Sequence, residues 1–289
     1  MDLVTVGDLM IDVRVEAGVL ARGGDVHGRV LVQPGGSAAN AAVWGAWVGA
    51  RTGLHGKVGD DVGGRILREA VVERGIEPHV SLDPEAATGT MLVVHEAGER
   101  SMVADRGANA RLAPGDLPKA IRAGAVLVSG YLLLHEDSRP AALAALLRAE
   151  ARYVAVDPAS WPLVEAFGVE RFLTETGPAN VVLANELEAR TLTGEEGELA
   201  ARALGKRYAI AVVKLGARGA VVCVEGEVLE EPAEPVAEVD PTGAGDAFDG
   251  VFLASLARGA PLRDALHRAC RAGELQVSSA RSWPDRVEP

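Results

Sequence analysis

The chain has 289 residues, 48% of them hydrophobic, with 41 acidic against 29 basic side chains and a formal net charge of −12. A chain this long and apolar can bury a sizeable core, and so acidic a balance without a basic cluster argues against nucleic acid and anionic membranes as partners. Cys223 and Cys270 are too few for a disulfide framework and lack metal-ligand spacing; no basic leader or run of ~18 apolar residues is present, so a reducing cytoplasm is expected.

Leu3–Val6 reads as a short buried strand that ends at Gly7 and leads to Asp8 and Asp12. Ligands of an open parallel sheet gather beyond the carboxyl ends of its strands, so either acid could meet substrate hydroxyls; a solvated loop acid is the plainer alternative. Residues 13–32 alternate loosely and are broken by Gly18, Gly23, Gly24 and Gly28, a pattern for two exposed strands joined by a turn. Gln33-Pro34-Gly35-Gly36-Ser37-Ala38-Ala39-Asn40 is a glycine turn feeding a helix of small residues to about Val48. Its spacing is not Gly-x-Gly-x-x-Gly, and no acid ends a second strand about 20 residues on, which sets a dinucleotide fold aside.

Asp60-Asp61 could suggest a metal, but Asp61 reads better as the N-cap of a helix over 62–74 that Gly75 terminates. Thr88–Val94 and Ser101–Ala104 flank Glu96-Ala97-Gly98-Glu99 as a hairpin, and with 13–32 they predict a small sheet over one face. Arg106 follows, able to meet an acidic substrate or simply solvated. From Ala125 the pattern is strand (125–129), helix (about 138–150), strand (153–156) and a further helix after Asp157-Pro158, as a parallel sheet with covering helices requires. Val181–Ala189 passes from strand into helix with Asn185 as N-cap, and Ala211–Ala220 is strand, glycine turn, strand. Trp44, Trp47, Trp161 and Trp283 are expected to pack, since no basic residues interleave them.

The Gly-x-Gly core of Asp240-Pro241-Thr242-Gly243-Ala244-Gly245-Asp246-Ala247-Phe248 comes before a segment with apolar residues at helical spacing, Ala244, Ala247, Phe248, Val251, Phe252 and Leu256. Its glycines therefore sit at a helix start, where unpaired N–H groups and the macrodipole favour an anion. Asp246 in that turn would repel a phosphate unless it had a separate task, such as accepting a proton from an attacking hydroxyl; complementing the dipole is the simpler alternative. Pro261 starts a last helix that runs to about Ser279.

This nine-residue stretch resembles the C-terminal signature of the ribokinase-like (PfkB) carbohydrate kinases. Gly35-Gly36 with Asn40, and Gly56-Lys57-Val58-Gly59-Asp60-Asp61-Val62-Gly63-Gly64, resemble the N-terminal one. The resemblance spans about residues 3–280 and implies one α/β ribokinase-like domain over 1–289: a three-layer sandwich with a central mostly parallel sheet. Segments of about 13–33 and 88–106 would form a β-sheet lid, through which two copies would pair as a homodimer. It implies transfer of the ATP γ-phosphoryl to a primary hydroxyl of a small sugar-like acceptor. Asp246 would be the base, and the N–H groups of Gly243, Ala244 and Gly245 would hold developing charge. Asp12, Gly35, Gly36, Asn40, Arg106, Asn109 and Tyr131 would meet the acceptor; Asn185, Lys214, Gly216 and Gly219 would meet ATP. Glu188 would approach Mg2+ through water, and Asp240 and Thr242 would border a monovalent cation such as K+, although Ala280–Asp285 departs from the family's usual continuation. Ser37 and Tyr131 replace a lysine and a glutamate of ribokinases, so D-ribose is expected to be a poor acceptor. A nucleoside kinase of the same family is the main alternative, and a non-catalytic sugar- or nucleotide-binding protein the remaining one.

Overall fold

The computed structural model describes residues 1–19, 23–96 and 99–285, so the expected turn residues Ala97 and Gly98 lie outside the described residues. The chain opens with β1 (Leu3–Val6), β2 (Met10–Ala17) and β3 (Gly28–Gly35), then α1 (Ser37–Trp47), β4 (Thr52–Gly59), α2 (Val62–Glu73) and β5 (Glu77–Asp83). Asp61 caps α2 as expected, accepting from the Gly64 N–H at 2.8 Å. Next come β6 (Thr90–Glu96), β7 (Glu99–Asp105), the two-residue β8 (Ile121–Arg122), β9 (Ala125–Ser129), α3 (Gly130–Leu134) and α4 (Arg139–Arg148). The helix expected to reach residue 150 stops at Arg148, because β10 (Ala149–Glu150) pairs with β8 and tertiary hydrogen bonding overrides local propensity. The chain continues through β11 (Tyr153–Asp157), α5 (Trp161–Phe167), α6 (Val169–Glu175), β12 (Val181–Asn185), α7 (Glu186–Thr193) and α8 (Gly197–Leu204). It ends with β13 (Ile210–Lys214), β14 (Ala220–Val224), β15 (Glu227–Glu231), α9 (Ala244–Ala257) and α10 (Leu262–Val277).

Nine strands form the main sheet in the order β15-β14-β13-β12-β11-β9-β1-β4-β5, parallel from β13 to β5 and antiparallel at the β14 and β15 edge. Period-two alternation divides its side chains between two cores. Leu3, Leu127, Ala155, Leu183 and Val212 pack with α9 and α10, while Val4, Val126, Val154, Val156 and Val182 pack with α4 to α8. The result is the expected three-layer sandwich. A separate four-stranded sheet, in the order β3-β2-β6-β7, comes from the two segments assigned to a covering sheet.

Alanines dominate the buried face of α1, which lets α9 approach closely: a Cβ on Gly250 would stand 2.1 Å from the Ala41 carbonyl oxygen. Trp44 and Trp283 are buried as expected, whereas Trp161 is 42% exposed at the start of α5 and does not pack as a core residue. Gly→Ala inside a helix ordinarily stabilises by ~0.5–1 kcal/mol, but overpacking here costs ~1–3 kcal/mol. Gly250→Ala should therefore lower the urea midpoint; a raised midpoint would show that the two helices separate freely.

Candidate active site

Four of the parallel strands deliver their carboxyl ends to one cavity of about 1050 Å³. Ser129, Asp157, Asn185 and Lys214 are the last residues of β9, β11, β12 and β13, and every one of them lines it. The smaller sheet contributes Met91, Val93, Met102 and Ala104, so one end is roofed by apolar side chains. Gly216, Gly219, Pro235 and Val236 lie along the other end. A Cβ on Gly219 would fall 1.9 Å from the Glu231 carbonyl oxygen, so only glycine fits that turn.

The start of α9 lies between these ends. Gly243 is its N-cap at φ 80, a left-handed conformation that suits glycine. The Ala244 N–H, expected to face an anion, makes a long 3.3 Å bond to the Pro241 carbonyl within the turn. The Gly243 and Gly245 N–H groups have no protein acceptor among the described residues. The Asp246 carboxylate accepts from Asn40 Nδ2 at 2.8 Å, and Asn40 Oδ1 in turn accepts from Trp283 Nε1 at 2.9 Å. Burial pushes Asp246 up to about 7; the Asn40 hydrogen bond and the Lys214 charge oppose this, and the Asp157 and Asp12 charges add to it.

At the roofed end, Asp12, Gly36, Asn40, Arg106 and Tyr131 line the cavity together. Burial pushes Asp12 up to about 6, against a 3.3 Å hydrogen bond from Ser282 Oγ. Gly36 caps α1 at φ 98, and a Cβ there would meet the Asp8 carbonyl oxygen at 2.4 Å. Gly35 is not in the lining: it abuts Asp12, whose Oδ2 would stand 2.0 Å from an added Cβ, and so leaves that carboxylate room. Arg106 is not a free cation, because it grips Asp8 in a two-pronged pair at 2.8 and 3.1 Å and also donates to Ser138 Oγ. Asn109 corrects the expectation of acceptor contact: it lies buried outside the lining, its amide exchanging hydrogen bonds with the Leu9 N–H and carbonyl. The Tyr131 phenol is kept neutral, first by burial and then by the Asp246 charge.

Lys214 is also committed: its ammonium donates to Asp157 at 2.7 Å and to both oxygens of Asp249 at 2.9 and 3.1 Å. Burial raises Asp249 well above the carboxylate range, whereas for Asp157 the Lys214 charge and hydrogen bonds outweigh burial and hold it low. Neither acid stood among the expected site residues. The signal for Asp157 was its place at a strand end, and for Asp249 its place one turn after Asp246 on the same helix. Asn185 caps α7 and forms a capping box with Glu188, donating to it from N at 2.8 Å and from Nδ2 at 2.6 Å. Burial and the Asp157 charge push Glu188 up to about 8.

Among the described residues, no three acidic, histidine or cysteine side chains converge as a metal cage. That donor set fits a divalent ion carried in on phosphates with most of its waters, which Glu188 would meet through water and which would favour its ionised form. A monovalent cation at Asp240 and Thr242 does not fit. The Arg14 guanidinium already donates to the Asp240 carboxylate, whose other oxygen accepts the Thr242 N–H at 2.9 Å.

A glycine-capped helix with an acid in its first turn, at the strand ends of this sandwich, defines a phosphotransferase of ribokinase-like fold. The model of the pfkB family carbohydrate kinases matches residues 1–283. A fructokinase of Klebsiella pneumoniae is 33% identical over 248 residues, 81% of this chain and 80% of its own. An adenosine kinase from Sinorhizobium meliloti superimposes with a TM-score of 0.88 at 24% identity, covering 98% and 96% of the two chains, a likeness of fold. A fructokinase variant from Vibrio cholerae, in a fructose-, ADP- and potassium-bound form, gives a TM-score of 0.80 at 26% identity, covering 98% and 94% of the two chains. The chain belongs to the pfkB family of carbohydrate kinases, ATP-dependent phosphotransferases with an alcohol group as acceptor.

Asn40→Leu keeps the site buried but removes the amide that favours the ionised form, so the Asp246 titration midpoint should move upward from about 7. Carboxyl-carbon NMR shifts would read it, and an unmoved midpoint would mean that Asn40 does not hold the carboxylate.

Proposed function

We propose that the protein transfers the γ-phosphoryl of ATP to a primary hydroxyl of a small neutral sugar, with Asp246 as general base. The observation that carries this reading is the Asp246 carboxylate at the start of α9, between the roofed end and the glycine turns, oriented by Asn40. The acceptor would lie under the smaller sheet, its hydroxyls on Asp12, Asn40 and the Gly36 backbone. Its reacting hydroxyl would give its proton to Asp246 as the oxygen attacks the γ-phosphorus and the bond to the bridging oxygen breaks, releasing ADP, while the Gly243 and Gly245 N–H groups face the phosphoryl oxygens. A divalent ion bound with the phosphates supplies charge neutralisation there. Closure of the smaller sheet as a lid would keep water from acting as acceptor. Val30, Val32 and Val103, each more than half exposed on that sheet, offer the apolar surface that pairing of two copies would use.

Charge supports a neutral acceptor over a sugar acid. Arg106 is matched by Asp8, so an acceptor carboxylate would meet Asp12 and Asp246 without a spare cation among the described lining residues. The nucleoside reading keeps one observation in its favour, the neutral Tyr131 ring in the lining, on which a base could stack.

A base that titrates at about 7 must be ionised to accept a proton, so kcat/KM should fall tenfold per pH unit below that value and level off above it. Asp246→Asn should lower kcat by at least ~10² with ATP binding retained; near-normal turnover of the pure variant would remove Asp246 from this role. For the acceptor, kcat/KM across D-fructose, D-ribose, sugar acids and nucleosides should be highest for a neutral sugar other than ribose. A nucleoside preference lost in Tyr131→Ala would instead establish the second reading.

A further inference from the structure

Arg14 lies on β2, in the middle of the smaller sheet, paired with Leu31 on β3 and Val93 on β6. Its guanidinium leaves that sheet and enters a buried junction between two loops of the main body. One amino group donates to the Asp240 carboxylate and the other to the Ala280 carbonyl at 2.9 Å; the side chains of Arg14 and Asp240 are 8% and 1% exposed. The same two loops are joined by Gln276, which donates to the Thr242 carbonyl at 3.1 Å and the Arg281 carbonyl at 2.8 Å. The Asp240 and Val239 N–H groups also donate to the Val277 carbonyl.

A carboxylate and a carbonyl from two facing loops are an oxygen set that needs one positive charge, and burial makes leaving it uncompensated costly. The loop concerned runs directly into Gly243–Asp246, so its position sets where the anion-facing N–H groups and the carboxylate stand. We propose that Arg14 serves as a built-in monovalent cation for this loop, making phosphoryl transfer independent of potassium and tying the catalytic turn to the smaller sheet. Arg14 touches no reacting atom in this scheme and is a positioning residue. A planar guanidinium satisfies carboxylate and carbonyl at once and cannot dissociate, whereas an exchangeable ion would leave the turn loose whenever the site emptied. The inference rests on the kinase reading above for its catalytic consequence, but not for its structural one.

The test compares KCl with tetramethylammonium chloride at constant ionic strength, reading both the thermal unfolding midpoint and phosphorylation of D-fructose or whichever acceptor proves best. The native enzyme should show the same midpoint and turnover in both salts. Arg14→Ala should lose about tenfold or more in kcat in tetramethylammonium, since small misplacements of a catalytic group are costly. It should recover part of that loss, with a higher unfolding midpoint, on adding KCl or dilute guanidinium chloride. Arg14→Lys, which keeps a tethered charge, should stay indifferent to potassium and guards against an alanine variant that does not fold. Several-fold activation of the native enzyme by potassium would overturn the proposal, as would an Arg14→Ala variant that either matches the native enzyme in tetramethylammonium or responds to neither cation. Absence of phosphoryl transfer to any acceptor in any salt would instead defeat the kinase reading, and the unfolding midpoints would still judge Arg14.

Discussion

The close approach of α1 and α9 is the constraint on which the site depends. Asn40 and Asp246 are separated by 206 positions in the chain, yet their side chains meet at 2.8 Å because Gly250 lets the α9 backbone come up against Ala41 of α1. Gly250 sits against the Ala41 backbone one turn beyond Asp246, which fixes both the depth and the rotation of α9. That rotation turns Asp246 toward the cavity and Phe248 and Phe252 toward the main sheet. A wider spacing would leave Asp246 solvated and its carboxyl nearer its ordinary range.

Around this contact, charge is distributed unevenly. Arg106 is matched to Asp8, Arg14 to Asp240, and Lys214 to Asp157 and Asp249, each in surroundings where an unmatched charge would be costly. Asp12 and Asp246 are held by neutral donors, Ser282 and Asn40, and their titration is displaced upward to about 6 and about 7. For these two acids, burial that the neutral donors do not offset is what moves the carboxyl into the range where proton transfer at neutral pH is efficient. Lys214 and Arg14, bound to other acids, lower Asp246 and Asp12 by less than burial raises them.

The stretch from Ala280 to Trp283 binds these features together. Ser282 donates to Asp12 and receives a partner in Gln33, Trp283 orients Asn40, and the Ala280 carbonyl accepts from Arg14. A short segment after α10 therefore contacts β2, β3 and α1 at once.

Local chemistry made much of this legible in the sequence. The glycine-capped start of α9, the Asp61 and Asn185 caps, the hairpin strands of the smaller sheet and the alternation of strand and helix after Ala125 all follow from residue type and spacing, because caps, turns and periodicity act over a few positions. β4 and β5 escaped that reading. Three glycines in β4 weaken its strand signal, and its stability comes from lying between β1 and β5. The partners of the expected site residues were beyond local inference too: that Arg106 is neutralised by Asp8, that Asn109 turns to the Leu9 backbone, and that Lys214 and Arg14 are claimed by distant acids. Such pairings join residues 35 to 226 positions apart, and only packing decides which charge stands nearest to which. Sequence determined the kinds of group available to the site, and the tertiary structure decided which remained uncompensated, because electrostatic energy depends on distance and burial rather than order along the chain.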